Sequence, residues 1–177
     1  MEKLSVHEYF RQPETLRPME LVYGVVREPP SPRYGHQSIV TRLTILLGTL
    51  VDERGLGRVC VSPMDVVLDE PAALVVQPDI IFVASERLEI IRDRIWGPPD
   101  LVAEVLSPRT AVRDRTIKLE WYRQYGVREC WLVDTRRRWV EVVALQSIAA
   151  PPLFSGTQRI RSAVLPDWAF AAEHIFD

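Results

Sequence analysis

The sequence predicts an α/β (α+β) fold, a mixed central sheet flanked by helices, and three observations carry that prediction. Extended segments rich in β-branched residues recur through the chain. Two longer stretches place apolar residues at helical spacing. Most connections between the extended segments are short enough for hairpins, so strands outnumber helices and the sheet should be mixed.

The elements follow in order. Ser5, with Glu8 three residues later, has the form of a capping box, so a short helix is expected from Ser5 to Gln12. Glu20 to Val26 reads as a strand, and Glu28-Pro29-Pro30-Ser31-Pro32 as a loop. Ile39, Leu43, Leu46, Leu47 and Leu50 then mark a long helix from about His36 to Arg54, stopped by Gly55. Strands are expected at Arg58 to Ser62, Asp65 to Leu68 and Val75 to Val83, with Pro63 and Pro71 as punctuation. A short helix over Glu86 to Asp93 leads through Gly97-Pro98-Pro99 into a strand from Asp100 to Leu106. A second long helix runs from about Thr110 to Tyr125, with Gly126 as its C-cap. Glu129 to Asp134 and Trp139 to Leu145 form a hairpin about Thr135-Arg136-Arg137-Arg138, and weaker segments finish the chain.

At 177 residues the chain fits one domain, 1–177, because a single core still grows efficiently at this size. No apolar run approaches the roughly 20 residues needed to cross a bilayer, so no membrane association is expected. The segment from Met1 to Glu8 lacks the basic start and apolar core of a secretory signal, and Cys60 and Cys130 stand far apart without a Cys-x-x-Cys. The cytoplasm is the expected compartment. A net charge of −2 tells against nucleic-acid binding, since dedicated binders carry a basic excess, but leaves room for an enzyme that acts transiently through a local basic surface.

Two carboxylates interrupt apolar sequence. In Leu101-Val102-Ala103-Glu104-Val105-Leu106 every neighbour of Glu104 is apolar, and an ionised carboxylate there needs a cation or a Lys or Arg partner. Asp79 opens the apolar run Ile80-Ile81-Phe82-Val83 directly after Pro78. Two carboxylates on neighbouring strands can share one hard cation, because Mg²⁺ takes a few oxygen ligands and keeps several waters. The alternative is a buried ion pair or a turn-capping aspartate. Downstream, helical spacing puts Asp114, Lys118 and Tyr122 on one face, so Lys118 can reach the same place; a plain Asp114–Lys118 surface pair is the other reading. Arg109, Arg113 and Arg115 cluster after the Glu104 strand as candidate phosphate contacts, or as a solvated helix start. Trp131, Tyr122 and Tyr125 sit in apolar patterns and are expected in the core.

Taken in order, the blocks Gln77-Pro78-Asp79-Ile80-Ile81-Phe82-Val83, Pro99 to Pro108, Asp114-Arg115-Thr116-Ile117-Lys118 and Tyr125 to Asp134 resemble the Uma2 family, also called DUF820. The resemblance runs from about Glu20 to Val143. It implies a restriction-endonuclease-like fold of the PD-(D/E)xK superfamily, with Asp79 as the aspartate of the PD motif and Glu104 as the acid of (D/E)xK. The position two after Glu104 is Leu106 rather than lysine; the family moves the lysine to the next helix, which corresponds to Lys118. Glu20 resembles the acid that many superfamily members supply from the N-terminal region, and His36-Gln37 matches a family feature at the start of the long helix, as a substrate contact or a polar helix start.

The implied activity is endonucleolytic hydrolysis of DNA with Mg²⁺ or Mn²⁺ as cofactor, Asp79 and Glu104 as metal ligands, and Lys118 and Glu20 completing the catalytic set. The products implied are a 5′-phosphate and a 3′-hydroxyl. Two rivals stand beside this: a nuclease-like module that binds nucleic acid or protein without turnover, and a structural homodimer formed through a strand edge or the long helix.

Overall fold

Pro78 divides the apolar run from Val75 to Val83 into two strands, and with it the protein into two sheets. Pro has no N–H to give to a ladder, so pairing stops there. Leu74–Val76 and Ile80–Ala84 consequently belong to different sheets, where the periodicity predicts one continuous strand. The computed structural model describes residues 3–13, 17–107 and 111–176.

In chain order the elements are α1 (Val6–Phe10), β1 (Glu20–Val22), β2 (Val25–Arg27), α2 (Tyr34–Arg54), β3 (Gly57–Val61), β4 (Val66–Asp69), β5 (Leu74–Val76) and β6 (Ile80–Ala84). A 3₁₀ segment, Ser85–Ile90, stands where an α-helix is expected. Then come β7 (Ile95–Trp96), β8 (Leu101–Leu106), α3 (Ala111–Arg113), a π-helical turn (Asp114–Lys118), α4 (Leu119–Tyr125), β9 (Glu129–Asp134), β10 (Trp139–Ala144), β11 (Leu153–Ser155) and α5 (Glu173–Phe176). The single strand expected over Glu20 to Val26 is instead a tight hairpin. Tyr23 and Gly24 both take positive φ, 51° and 85°, the turn geometry that matches the natural twist of a two-residue hairpin.

Both sheets are mixed, as the class requires. The smaller has the order β2-β1-β5-β4-β7 and the larger β11-β10-β9-β8-β6-β3. Only β4–β7 and β8–β9 are parallel among the named pairs, and the second of these needs the helical crossover from α3 to α4.

The large sheet is covered on both faces, which is why β8 is apolar at every position but one. On one face Ile80, Phe82, Ala103, Val105, Trp131 and Val133 pack with Ile39, Leu43 and Leu47 of α2 and Ile175 of α5. On the other, Ile81, Val83, Val102, Leu106 and Leu132 meet Val66, Leu74 and Val76 of the small sheet and Trp121 and Tyr122 of α4. The far face of the small sheet is closed by Val6 and Tyr9 of α1. Each large apolar side chain so buried contributes about 1.5–3 kcal/mol. Among the described residues no helix is long and apolar enough to cross a membrane.

Candidate active site

The candidate residues gather where the chain leaves the small sheet and enters the large one. After β5 the backbone turns through Gln77-Pro78-Asp79, and Ile80 then pairs with Ala103 of β8 in antiparallel register. Continuing that register sets Asp79 opposite Glu104, on the same side of the sheet, because directly paired residues share a face. Asp79 therefore stands in the crossover rather than inside a strand. Its Oδ2 accepts the main-chain N–H of Val105 at 2.7 Å, and its own carbonyl accepts from Ser62 N at 3.1 Å.

Glu104 lies at the middle of β8 with 3% of its surface exposed. Its carboxylate accepts from Lys118 Nζ, 3.0 Å from Oε1 and 3.2 Å from Oε2, and from the hydroxyl of Tyr122. Lys118 also reaches Glu20 Oε1 at 3.1 Å and lies 4.0 Å from Asp114 Oδ1. The expected face of Asp114, Lys118 and Tyr122 is thus the one turned to the sheet, although the helix passes through a π turn from Asp114 to Lys118. Single π turns of this kind occur often at functional sites.

Glu20, the first residue of β1, is buried at the same point. Besides Lys118 it meets Arg113, whose Nη2 is 2.6 Å from Oε2, and its Oε1 lies 3.4 Å from the main-chain nitrogen of Gln77. Gln77 fixes this corner by donating to Asp65 Oδ1 at 2.9 Å and accepting from Met19 N at 3.1 Å. His36, on the first turn of α2, comes in from the other face of the large sheet and places Nε2 3.2 Å from Asp79 Oδ2. Gln37 Oε1 lies 3.2 Å from His36 Nδ1.

The electrostatics follow from crowding. Burial pushes the Glu104 carboxyl up to about 8; Lys118 pulls against this, while Asp114 and Asp79 push with it. Burial works against the charge on Lys118, yet Glu104, Glu20, Asp114 and Asp79 together hold its pKa above the usual lysine range. Burial would raise Glu20, but Lys118 and Arg113 outweigh it and leave the carboxyl below its ordinary range. His36 ends above the usual histidine value, because its hydrogen bond to Asp79 and the charge there outweigh burial. Glu20, Asp79, Glu104 and Asp114 thus all act on Lys118, while Arg113 pairs with Glu20 and the His36 imidazole with Asp79.

Two other buried acids differ in kind. Asp100 takes Ala84 N, Arg87 and Arg128 at 2.9, 3.1 and 3.2 Å, and Glu129 takes Trp131 Nε1 and Ala163 N at 2.7 and 2.9 Å together with the Ser162 hydroxyl. Each of those acids is saturated by one main-chain N–H and side-chain donors of its own. Glu104 shares its one lysine with Glu20 and faces two more carboxylates.

A divalent cation fits this donor set. Asp79, on the crossover, and Glu104, on β8, offer hard oxygens, and Asp79, with 20% of its side chain exposed, opens the pair to solvent. Among the described residues no three His, Cys, Asp or Glu side chains form a ready-made metal cage. Two carboxylates completed by water are a donor set of the kind that Mg²⁺ or Mn²⁺ takes.

The structure thus brings together Asp79, Glu104, Lys118, Glu20, Arg113 and His36, with Gln37 attached through His36. Arg115 points elsewhere: it pairs with Glu141 of β10 at 2.7 Å and stacks over Trp139 at 4.7 Å. Arg109 lies outside the described residues. Tyr122, expected as a core aromatic, is indeed fully buried, but its hydroxyl also serves Glu104, a role that the sequence pattern did not give it. The Val105 N–H and the Gln77 side chain carried no signal in sequence, since each acts through a tertiary neighbour.

A search of curated proteins finds no match. Among solved structures, the chain is similar to that of a "putative nuclease belonging to DUF820" from Anabaena variabilis ATCC 29413, at 18% identity, TM-score 0.81 and coverage of 98% of this chain and 97% of that one. That likeness establishes the shared nuclease-like fold. The family model Uma2, described as "Putative restriction endonuclease", matches residues 6–173. With nearly its whole length matched, this chain belongs to the Uma2 family.

Proposed function

We propose that the protein is a DNA endonuclease that hydrolyses phosphodiester bonds with Mg²⁺ or Mn²⁺ held by Asp79 and Glu104. The observation that carries this reading is that Asp79, on the crossover, is bonded to the strand of Glu104 beside that residue, while Lys118, from the helix, bonds Glu104 itself. A bound divalent cation would supply activation of water and neutralisation of charge on the phosphate.

The protein's own residues have the following parts. Asp79 and Glu104 would hold the cation, the first positioned by Val105 N–H and the second by Tyr122 and Lys118. The Lys118 ammonium, permanently charged in this setting, stabilises negative charge that grows on the phosphate oxygens during attack. Glu20 and Arg113 fix Lys118 from behind. His36, hydrogen-bonded to Asp79, orients that carboxylate at the solvent side of the site. Water attacks phosphorus, the bond to the 3′-oxygen breaks, and that oxygen takes a proton, leaving a 5′-phosphate and a 3′-hydroxyl.

Purified protein should cleave DNA with Mg²⁺ or Mn²⁺ and not with EDTA, and Asp79→Ala should abolish cleavage while circular dichroism stays native. Undiminished cleavage in EDTA, or by Asp79→Ala, would sink the proposal. Two observations favour a second reading, a nuclease-like module that binds without cutting: Lys118 is engaged by both Glu20 and Glu104, and Leu106 occupies the position of the motif lysine. Absence of Mn²⁺ binding to the wild-type protein would favour that reading.

A further inference from the structure

The two oxygens of Glu104 are not equivalent. Oε1 accepts from both the Tyr122 hydroxyl and Lys118 Nζ at 3.0 Å, which uses its two lone-pair directions. Oε2 receives Lys118 at the longer distance of 3.2 Å. The donor that makes the difference is Tyr122. Its side chain is fully buried among Trp121, Cys130 and Leu132, so its hydroxyl has no water to turn to and must be satisfied by a protein acceptor. A glutamate's terminal torsion is broad and nearly two-fold, so a carboxylate without such a donor would settle in several orientations. Tyr122 of α4 and Lys118 at the end of the π turn before it, four residues apart, set that torsion together.

We propose that Tyr122 is a positioning residue of the site: its hydroxyl occupies Oε1 of Glu104 and thereby turns Oε2 toward the divalent cation. The inference rests on the reading of Asp79 and Glu104 as the metal pair. Partners that orient a metal ligand without touching the metal typically carry 10–100-fold of the affinity. Tyr122 therefore acts on the cation through Glu104, with no contact of its own to substrate.

The test uses the full chain and Mn²⁺ alone, with free Mn²⁺ read by its paramagnetic resonance signal. Tyr122→Phe keeps the ring and removes the hydroxyl, and should weaken Mn²⁺ binding by about ten-fold or more. Tyr125→Phe, which removes a hydroxyl from the same helix that interacts with Asp69 instead, should bind as the wild type does. Thermal melts separate positioning from a merely structural role. A structural hydroxyl would lower the melting temperature equally with and without Mn²⁺, whereas a positioning hydroxyl shrinks the rise that Mn²⁺ produces. Equal Mn²⁺ affinity in wild type and Tyr122→Phe overturns the inference. Failure of the wild type to bind Mn²⁺ overturns the metal reading itself, and the inference with it. Should Tyr122→Phe not fold, 3-fluorotyrosine at position 122 preserves packing and hydroxyl. Its fluorine resonance should then shift as Mg²⁺ is added, and an unmoved resonance at saturating Mg²⁺ overturns the inference.

Discussion

Asp79 accepts the main-chain N–H of Val105 at 2.7 Å, so the acid on the crossover is tied to the strand that carries Glu104, one residue away from it. In the β6–β8 register the residue facing Val105 would be Pro78, where the chain has already left the ladder. The carboxylate takes the hydrogen bond that the backbone no longer offers. A single interaction thereby closes the sheet end and fixes the spacing of the two acids.

Removing that carboxylate should have two separable effects. Asp79→Ala leaves a buried N–H without its acceptor and should lower stability by about 1–3 kcal/mol. Asp79→Asn keeps an acceptor oxygen and should cost less than about 1 kcal/mol by the same reasoning. Both should lose the stabilisation that Mn²⁺ gives. Denaturant titrations with Mn²⁺ and with EDTA measure both effects, and a Mn²⁺ effect that survives in Asp79→Asn would remove this residue from the metal pair.

Lys118 is the shared counter-charge of Glu20 and Glu104, each within 3.1 Å of its ammonium. Above about pH 8, where Glu104 is ionised, Lys118→Met should therefore destabilise the metal-free protein by about 3–5 kcal/mol, the cost of leaving buried charge without its partner. Divalent metal should recover part of that loss, because a cation at Glu104 restores compensation. Urea melts in EDTA and in Mg²⁺ give the comparison. A loss below about 1 kcal/mol would mean that the pair is solvated as a surface bridge is.

The pH dependence has a definite sign. In the metal-free fold, burial lifts Glu104 from the ordinary 4.5 to about 8, despite Lys118. The folded state then binds a proton that the unfolded chain releases, so the contribution to stability is largest below the ordinary value and declines as pH rises toward 8. Chemical denaturation in EDTA from about pH 5 to 9 should follow that decline, and Glu104→Gln, which has no proton to lose, should flatten it. An identical slope in the two proteins would assign the titration to another group.

Gly57 tests the sheet independently of the site. Its φ is 151°, and a Cβ built on it would come 2.0 Å from the carbonyl oxygen of Val83 on the neighbouring strand. Gly57→Ala must push β3 away from β6 and should cost at least about 1–3 kcal/mol, the usual range for overpacking. A thermal melt within a degree of wild type would show that the strand ends part more easily than their pairing suggests.

Much of the fold was readable from residue patterns because the information was local. Gly55 and Gly126 end their helices in left-handed geometry, Ser5 and Glu8 form the capping box, and Glu129–Asp134 pairs with Trp139–Ala144 as the turn residues require. The helix over Glu86 to Asp93 became a 3₁₀ segment because Arg87, at φ −127°, breaks the helical path and sends its guanidinium to Asp100 and to the carbonyl of Pro98. Its spacing alone could not reveal that pull.

For the site, the sequence by itself determined which residues were chemically out of place. A glutamate among Val102, Ala103, Val105 and Leu106, an aspartate after Pro78, and a lysine in step with Tyr122 are anomalies of hydrophobic patterning, which depends only on neighbours in the chain. Tertiary structure alone decided their partners. Glu20, 98 positions before Lys118, reaches it because the small sheet stacks on the large one. His36 meets Asp79 because α2 lies on the opposite face with its first turn at the sheet end, while Arg115, equally basic and two residues from Arg113, swings to Glu141. Pairings between distant residues depend on how layers stack and on which face a helix turns inward, and burial energy summed over the whole core sets both.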